Sequence, residues 1–320
     1  MVSADTNQVG RSLQLRGYLM IGGSALMFGT TGVFIRISTM PASTLLVMRM
    51  ALGAAMVAVF FWRSKWWRQW LAPGVPLRLF ILGVIDAVQL LTFFVAVRYM
   101  DVALAVFLSY MSPIYIAVVA PRLLRQRTER IVIVALVLSI GGIALMLAPG
   151  LLDPSLRVSA LGLACGLLAG LLLAVFFLVA KAMRNKVDGV TMLISDGVTT
   201  AVVLLPLALV QWLSAGTPFT AGDLWAIIGL AVLSTAVGGT IFLQGMRYIR
   251  VQHTSIVGLL EPASAPFFAF VFLGEVPAVW TLLGGALILA GAVLVVLFGS
   301  SEEGMAGSPE EAVAEAEALP

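Results

Sequence analysis

Runs of about 20 apolar residues, the length that spans a bilayer as a helix, follow one another along nearly the whole of this chain. Short polar joints separate them. Ten helices are predicted, over residues 17–38, 43–62, 77–98, 101–120, 130–149, 158–181, 190–212, 223–246, 252–273 and 276–299. Only 11% of the residues are charged and 61% are hydrophobic, against about 25% charged in an average soluble domain. One water-soluble core cannot hide that much apolar surface, so the fold class is an all-α membrane protein. The first run is too long, and too plainly followed by further spans, to be a cleaved signal peptide. With one cysteine, Cys165, and one histidine, His253, neither a disulfide framework nor a thiolate or imidazole metal cluster is expected. No cofactor and no phosphate-binding loop is read, which excludes primary, ATP-driven transport by this chain alone.

Lysine and arginine set the orientation. With the N terminus in the cytoplasm, 15 of the 19 basic residues fall on cytoplasmic segments. Arg36, Arg98 and Arg157 lie outside, and Arg49 lies within a span. The stretch FFWRSKWWRQWL fits a headgroup interface, where tryptophans and cations collect. Wedged between two spans, it does not read as a nucleic-acid patch. Both termini are thus expected in the cytoplasm of a bacterium, with the spans in its inner membrane. The end from Ser300 to Pro320 carries six glutamates and no basic residue and reads as a solvated, disordered tail.

The chain also repeats itself. VRYMDVALAVFLSYMSP (97–113) and MRYIRVQHTSIVGLLEP (246–262) align at a constant offset of 149 residues. Arg98-Tyr99 meets Arg247-Tyr248, and Pro113 meets Pro262. The expected organisation is a short N-terminal segment (1–16), a five-helix unit (17–150), a second unit (151–299) and the tail (300–320). An odd number of crossings inverts the second unit relative to the first. Inverted repeats with interrupted helices at matched positions are the mark of secondary transporters, whose site lies near mid-membrane.

Ten helices in this arrangement resemble the EamA family of the drug/metabolite transporter superfamily. The resemblance rests on Arg49 in LLVMRMALGAA, on VRYMDVALA and MRYIRVQHT, on LLEPASAPFFAFVFLGEV, and on LLGGALILAGAVLVVL. It covers about residues 17–299 and is looser in the first unit, where Ser112 stands in place of the glutamate of the Glu-Pro pair. The resemblance implies export or exchange of small metabolites, often amino acids or related amines.

Four charged residues lie well inside predicted spans: Arg49, Asp86, Asp196 and Glu261. A charge at mid-membrane costs about 2.5–3.5 kcal/mol even on lenient scales, so such residues face a cavity or a partner. Arg49 and Asp196 occupy equivalent repeat positions, but inversion sets them at opposite depths, about 12 Å apart by helical rise. Direct contact is therefore not expected, whereas Arg49 can reach towards Asp86. Gln89 and Gln244 join the candidate set, with Thr92, Ser109, Tyr110 and Thr240 as weaker ones. Pro113 and Pro262 are expected to break their helices and open backbone groups to water or substrate. His253 is expected to be a solvated helix-end residue. One cation among three acids suits a cationic or zwitterionic substrate, or a proton.

The function read from these features is secondary transport of a small polar metabolite such as an amino acid or amine, by alternating access. The expected partners are that small molecule, protons as a candidate coupling ion, and the lipid bilayer; oligomeric state is open, a monomer included. A small-multidrug-type exporter of cationic compounds is the nearest rival, although the first helix here lacks an acid. A non-transporting membrane scaffold would leave the intramembrane charges without a purpose. No enzymatic constellation is present.

Overall fold

A computed structural model describes residues 2–100, 102–123, 128–152, 158–184, 186–216 and 218–299; the acidic tail lies outside them. The described residues are helical throughout, without strands. Among the described residues, nine helices are long and apolar enough to cross a membrane. They are α1 (Ser12–Ile37), α2 (Ala42–Phe60), α3 (Val75–Tyr99), α4 (Leu104–Leu123), α6 (Ala160–Met183), α7 (Gly189–Ala215), α8 (Ala221–Gly245), α9 (Val251–Leu273) and α10 (Val279–Phe298). Between α4 and α6 runs a shorter apolar helix, α5 (Arg130–Met146). It stops short of the predicted 149 because Pro149 follows. The residues before a proline resist the helical region, and only a separate turn at Ala148–Leu151 continues it. At the other extreme, the first helix starts at Val2 and not near residue 17. Its polar opening turns are continuous with the apolar span.

The helices pack in matched pairs. α2 lies on α7 and α5 on α10; α3 packs on α6 as α8 packs on α1; α4 packs on α6 as α9 packs on α1. The α5–α10 seam shows the matching at atomic detail. A Cβ added to Gly142 would sit 2.6 Å from the Gly284 carbonyl oxygen, and one added to Gly291 would sit 2.8 Å from the Ala135 carbonyl oxygen. Positions 142 and 291, and likewise 135 and 284, are 149 residues apart. One contact is therefore made twice, between helices that run antiparallel. Small residues are what let backbones approach this closely where lipid supplies no hydrophobic drive between helices.

Two spans are interrupted at corresponding places. α4 is helical over Val102–Ser109 and again over Ser112–Leu123, with Tyr110 and Met111 between. α9 is helical over Val251–Gly258 and Leu260–Leu273, with Leu259 between. Pro113 and Pro262 each fall in the first turn of the second piece. There a missing N–H costs least, whereas the same ring deeper in a helix would clash with the preceding turn.

The two ends of the bundle differ. At one end the start of α1, the end of α6, the end of α8 and the α2–α3 connection meet. Arg16 lies over the Tyr248 ring at 5.5 Å, Trp66 Nε1 donates to the Ala58 carbonyl at 3.2 Å, and Gln69 donates to Asp188. Lys181, the last residue of the sixth predicted span, is buried there and donates to the Met246 and Ile249 carbonyls at 2.7 Å each. A cation at a helix C-terminus satisfies carbonyls that have no partner within the helix. At the opposite end Asp223 is fully buried. It accepts from Thr39 N at 2.7 Å, Ser38 Oγ at 2.7 Å and Thr220 Oγ1 at 2.6 Å, tying the α1–α2 connection to the start of α8. Sequence reading missed this hub. Its signal was the Thr220-x-x-Asp223 spacing of a capping box.

Candidate functional site

The middle of the bundle is organised by the crossing of α2 and α7. A Cβ on Gly197 would meet the Ala54 Cβ at 2.9 Å and the Met50 carbonyl oxygen at 3.1 Å, so glycine is what allows the crossing to be this tight. The crossing fixes the level of the two charged residues beside it. Asp196 is level with about Gly53 and Arg49 with about Thr200, which sets them about 6 Å apart along the helices, half the expected separation. The expectation measured both depths across a core of about 30 Å, whereas α2 ends at Phe60 and both helices start one residue earlier than predicted, at Ala42 and Gly189.

Four helices bring charge to this level. Arg49, half-buried on α2, lies in the field of Asp86 from α3, Glu261 from α9 and Asp196 from α7, most strongly Asp86. Asp86 and Asp196 also act on each other. Among the described residues no carboxylate comes within 4.0 Å of the guanidinium. Arg49 Nε and Asp196 Oδ1 are buried without a hydrogen-bond partner. Buried polar atoms are normally paired, so both groups are poised for a further partner. Asp86 is steadied from α7, where Thr200 Oγ1 donates to its Oδ2 at 3.4 Å and to the Gly83 carbonyl at 3.3 Å.

Glu261 lies in the first turn of the second half of broken α9, and the hydroxyl of Tyr110, from the break in α4, lies beside its carboxyl. The two interruptions thus meet, and Leu259 and Tyr110 also share one apolar cluster with Ile143 and Ile288. Tyr110 was a weak candidate in the sequence, where nothing tells which of many mid-span hydroxyls faces a carboxylate.

The remaining candidates divide. Gln89 is buried on α3, one turn beyond Asp86 and on the same face. Gln244 stands apart: its backbone N lies 3.1 Å from where a Gly189 Cβ would be, about 10 Å along α7 from Asp196. Thr92 and Ser109 spend their hydroxyls on their own helices, on the Gln89 and Ala105 carbonyls. Thr240 Oγ1 is buried without a partner. It follows a stretch that sequence patterning did not reveal, the π-helical Leu230–Gly239 within α8. The wider π turn commonly marks functional segments of helices. Here it lies against α2, where a Cβ on Gly53 would meet Thr235 Cγ2 at 2.5 Å, and against α1, where Thr31 Oγ1 and Ser234 Oγ are 3.0 Å apart.

His253 departs furthest from expectation. It is fully buried and not solvated, because α1, α10 and the segment before α5 close over it. Among the described residues no group of three or more His, Cys, Asp or Glu side chains is placed to hold a metal ion.

Comparison with known proteins decides the family. The model of the EamA-like transporter family matches this chain twice, over residues 15–148 and 160–297. The chain belongs to the EamA-like transporter family. An uncharacterized transporter of Archaeoglobus fulgidus is 30% identical over 85% of this chain and 93% of its own length. The threonine/homoserine exporter RhtA of Salmonella typhimurium is 24% identical over 88% of this chain and 90% of its own. A solved crystal structure of a protein with 15% identity has the same fold, with a TM-score of 0.74 over 88% of this chain and 96% of the other. This EamA-family chain is accordingly a multi-pass membrane transporter whose architecture holds two copies of the family unit.

Proposed function

We propose that this chain is a secondary transporter, an exporter or exchanger, of a small polar metabolite such as an amino acid or amine. It works by alternating access in a bacterial cytoplasmic membrane. The observation that carries the reading is the charged cluster: one guanidinium among three carboxylates, contributed by α2, α3, α7 and α9, at the level where two broken helices meet. An excess of carboxylate suits an ammonium group, and Arg49 offers a counter-charge to a carboxylate, so a zwitterion finds both partners. Broken helices at matched positions are where transporters bind, and RhtA is a threonine/homoserine exporter. The site residues of this reading are Arg49, Asp86, Asp196 and Glu261, with Gln89 beside them.

The same reading takes the two units as 17–150 and 151–299 and has α5 complete a tenth crossing. The doubled Gly142–Gly284 and Gly291–Ala135 contact supports an inverted relation between the units, since a two-fold axis in the membrane plane turns one contact into the other. Reconstituted vesicles preloaded with unlabelled amino acid or amine should accumulate the labelled compound by counterflow. Absence of counterflow for every amino acid and amine tested, with folded protein in the vesicles, refutes the assigned substrate class.

Orientation is tested separately. In a Cys165→Ala background, Gly216→Cys should react with an impermeant maleimide added to intact cells, and Ser64→Cys should not. Both positions are exposed. Labelling of Ser64→Cys from outside would place the basic loops on the wrong face and overturn the topology.

A further inference from the structure

The first piece of α9, Val251–Gly258, is sealed at the end of the bundle that carries the basic residues. From Val251 to Val257 no residue exceeds 3% exposure. Beyond the break, Glu261, Pro262 and Ala263 are half-buried and Phe267 is 61% exposed. His253 is at the centre of the seal. Its Nδ1 lies 2.8 Å from the Tyr18 hydroxyl of α1, and the two rings stack at 5.9 Å. Its Nε2 faces Glu129 Oε1, just before α5, at 3.4 Å. Arg250 NH1 reaches the same oxygen at 2.7 Å. Gln252 Nε2 donates to Thr128 Oγ1 at 3.1 Å. The end of α10 closes the set, because the Tyr18 hydroxyl also lies 3.1 Å from the Val295 carbonyl and Gln14 Nε2 donates to the Gly299 carbonyl at 3.1 Å.

The Tyr18 side of this network takes an added proton without moving a heavy atom. With a neutral imidazole, the Tyr18 hydroxyl donates to Nδ1, while Nε2 is buried 3.4 Å from Glu129 Oε1 and makes no hydrogen bond. With an imidazolium, Nδ1–H donates to the Tyr18 oxygen, and the hydroxyl hydrogen turns to the Val295 carbonyl. A small turn of the ring then lets Nε2–H and the carboxylate form a charge-assisted pair, roughly twice as strong as a neutral one. Among the described residues, other charges at this end have partners of their own. Arg250 opposes the imidazolium through the oxygen it shares. Lys181 of α6 is bound to the Met246 and Ile249 carbonyls, and Arg184 donates to the Val187 carbonyl at 3.1 Å. Arg122 of α4 is turned to the Val118 carbonyl at the surface. From α1, α5 and α10 the titratable group facing His253 is Tyr18. The network is also one-sided. At the matching position of the first unit stands Leu104, packed with Ala96, Val97, Met100 and Cys165.

We propose that His253 is a proton-binding site within a latch that closes the basic end of the transporter. The bound proton ties α9 to α1 and to the segment before α5, and its loss loosens that closure. Closure pairs the imidazolium with Glu129 and opening separates them. Acid therefore favours the closed arrangement, and rising pH favours opening. The latch can be tested without a transport assay, whatever the substrate class.

His253 is the chain's single histidine, so nitrogen-15 histidine labelling gives one imidazole to follow by NMR in nanodiscs. In Glu129→Gln the pH response of the imidazole resonance should differ from the parent's, because the charge beside it has gone. Spin labels at Leu15 and Arg130, both exposed and outside the network, report the opening. Their longer-distance population should grow from pH 5 to pH 8, where histidine titrates, and should be independent of pH in His253→Gln. Tyr18→Phe serves the same comparison should His253→Gln not fold, and there the pH response should be weakened. An imidazole whose titration ignores Glu129→Gln, or a parent whose distances ignore pH, overturns the proposal.

Discussion

Glu261→Gln should abolish flux through reconstituted vesicles, or remove its dependence on pH, while the variant folds and melts as the parent does. The geometry separates the two outcomes. Glutamine keeps the size of glutamate and a carbonyl oxygen beside the Tyr110 hydroxyl, so the packing between broken α4 and broken α9 is retained. What disappears is one of the three acids around Arg49 and the capacity to carry a proton there. Glu261 also sits where the helix has just restarted, at the second residue of Leu260–Leu273, so its replacement interrupts no regular turn. The matching residue of the first unit is Ser112, so no symmetry-related acid can stand in. Flux that proceeds normally and with the parent's pH dependence would leave Glu261 a purely structural residue.

Arg49→Ala should destabilise the protein by about 3 kcal/mol, the scale seen when one partner of a buried charge group is removed. The deficit should grow as pH rises. Without the guanidinium, Asp86, Asp196 and Glu261 repel one another when ionised, and protons relieve that repulsion in acid. Asp86→Asn in the Arg49→Ala background should restore about 1 kcal/mol, a coupling typical of neighbours that share a network. It should do so mainly at high pH, where the removed charge was present. Thermal unfolding of the four proteins of the cycle, at two pH values, measures this. Strictly additive losses would show that Arg49 and Asp86 do not act together.

The sequence was legible where composition and spacing do the work. Apolar run length placed nine spans, since a helix must hide its backbone from lipid, and the 149-residue offset paired Pro113 with Pro262 at what are two interrupted helices. The acids around Arg49 were named because charge in a greasy run is costly anywhere. Other features escaped for physical reasons. The π-helical turns of Leu230–Gly239 carry no compositional mark beyond a glycine pair. Gln244 was grouped with the cluster because helix assignment does not tell which level a side chain occupies. His253 was misjudged because its place at a helix start says nothing of the three segments that fold over it. Lys181 and Asp223 stand at the ends of predicted spans, and only tertiary contacts bury them.

The doubled contact of α5 and α10 has a consequence for assembly. An interface in which each partner presents the same surface to the other is of the kind that builds symmetric dimers, yet here both partners sit on one chain. Residues 1–152 and 153–320 made as separate polypeptides should therefore recognise each other in the membrane, with the antiparallel glycine seam as their docking surface. By the same logic, two intact chains can exchange halves. The joint between the halves is then what keeps the pairing within one molecule, by holding the second unit at high local concentration next to the first.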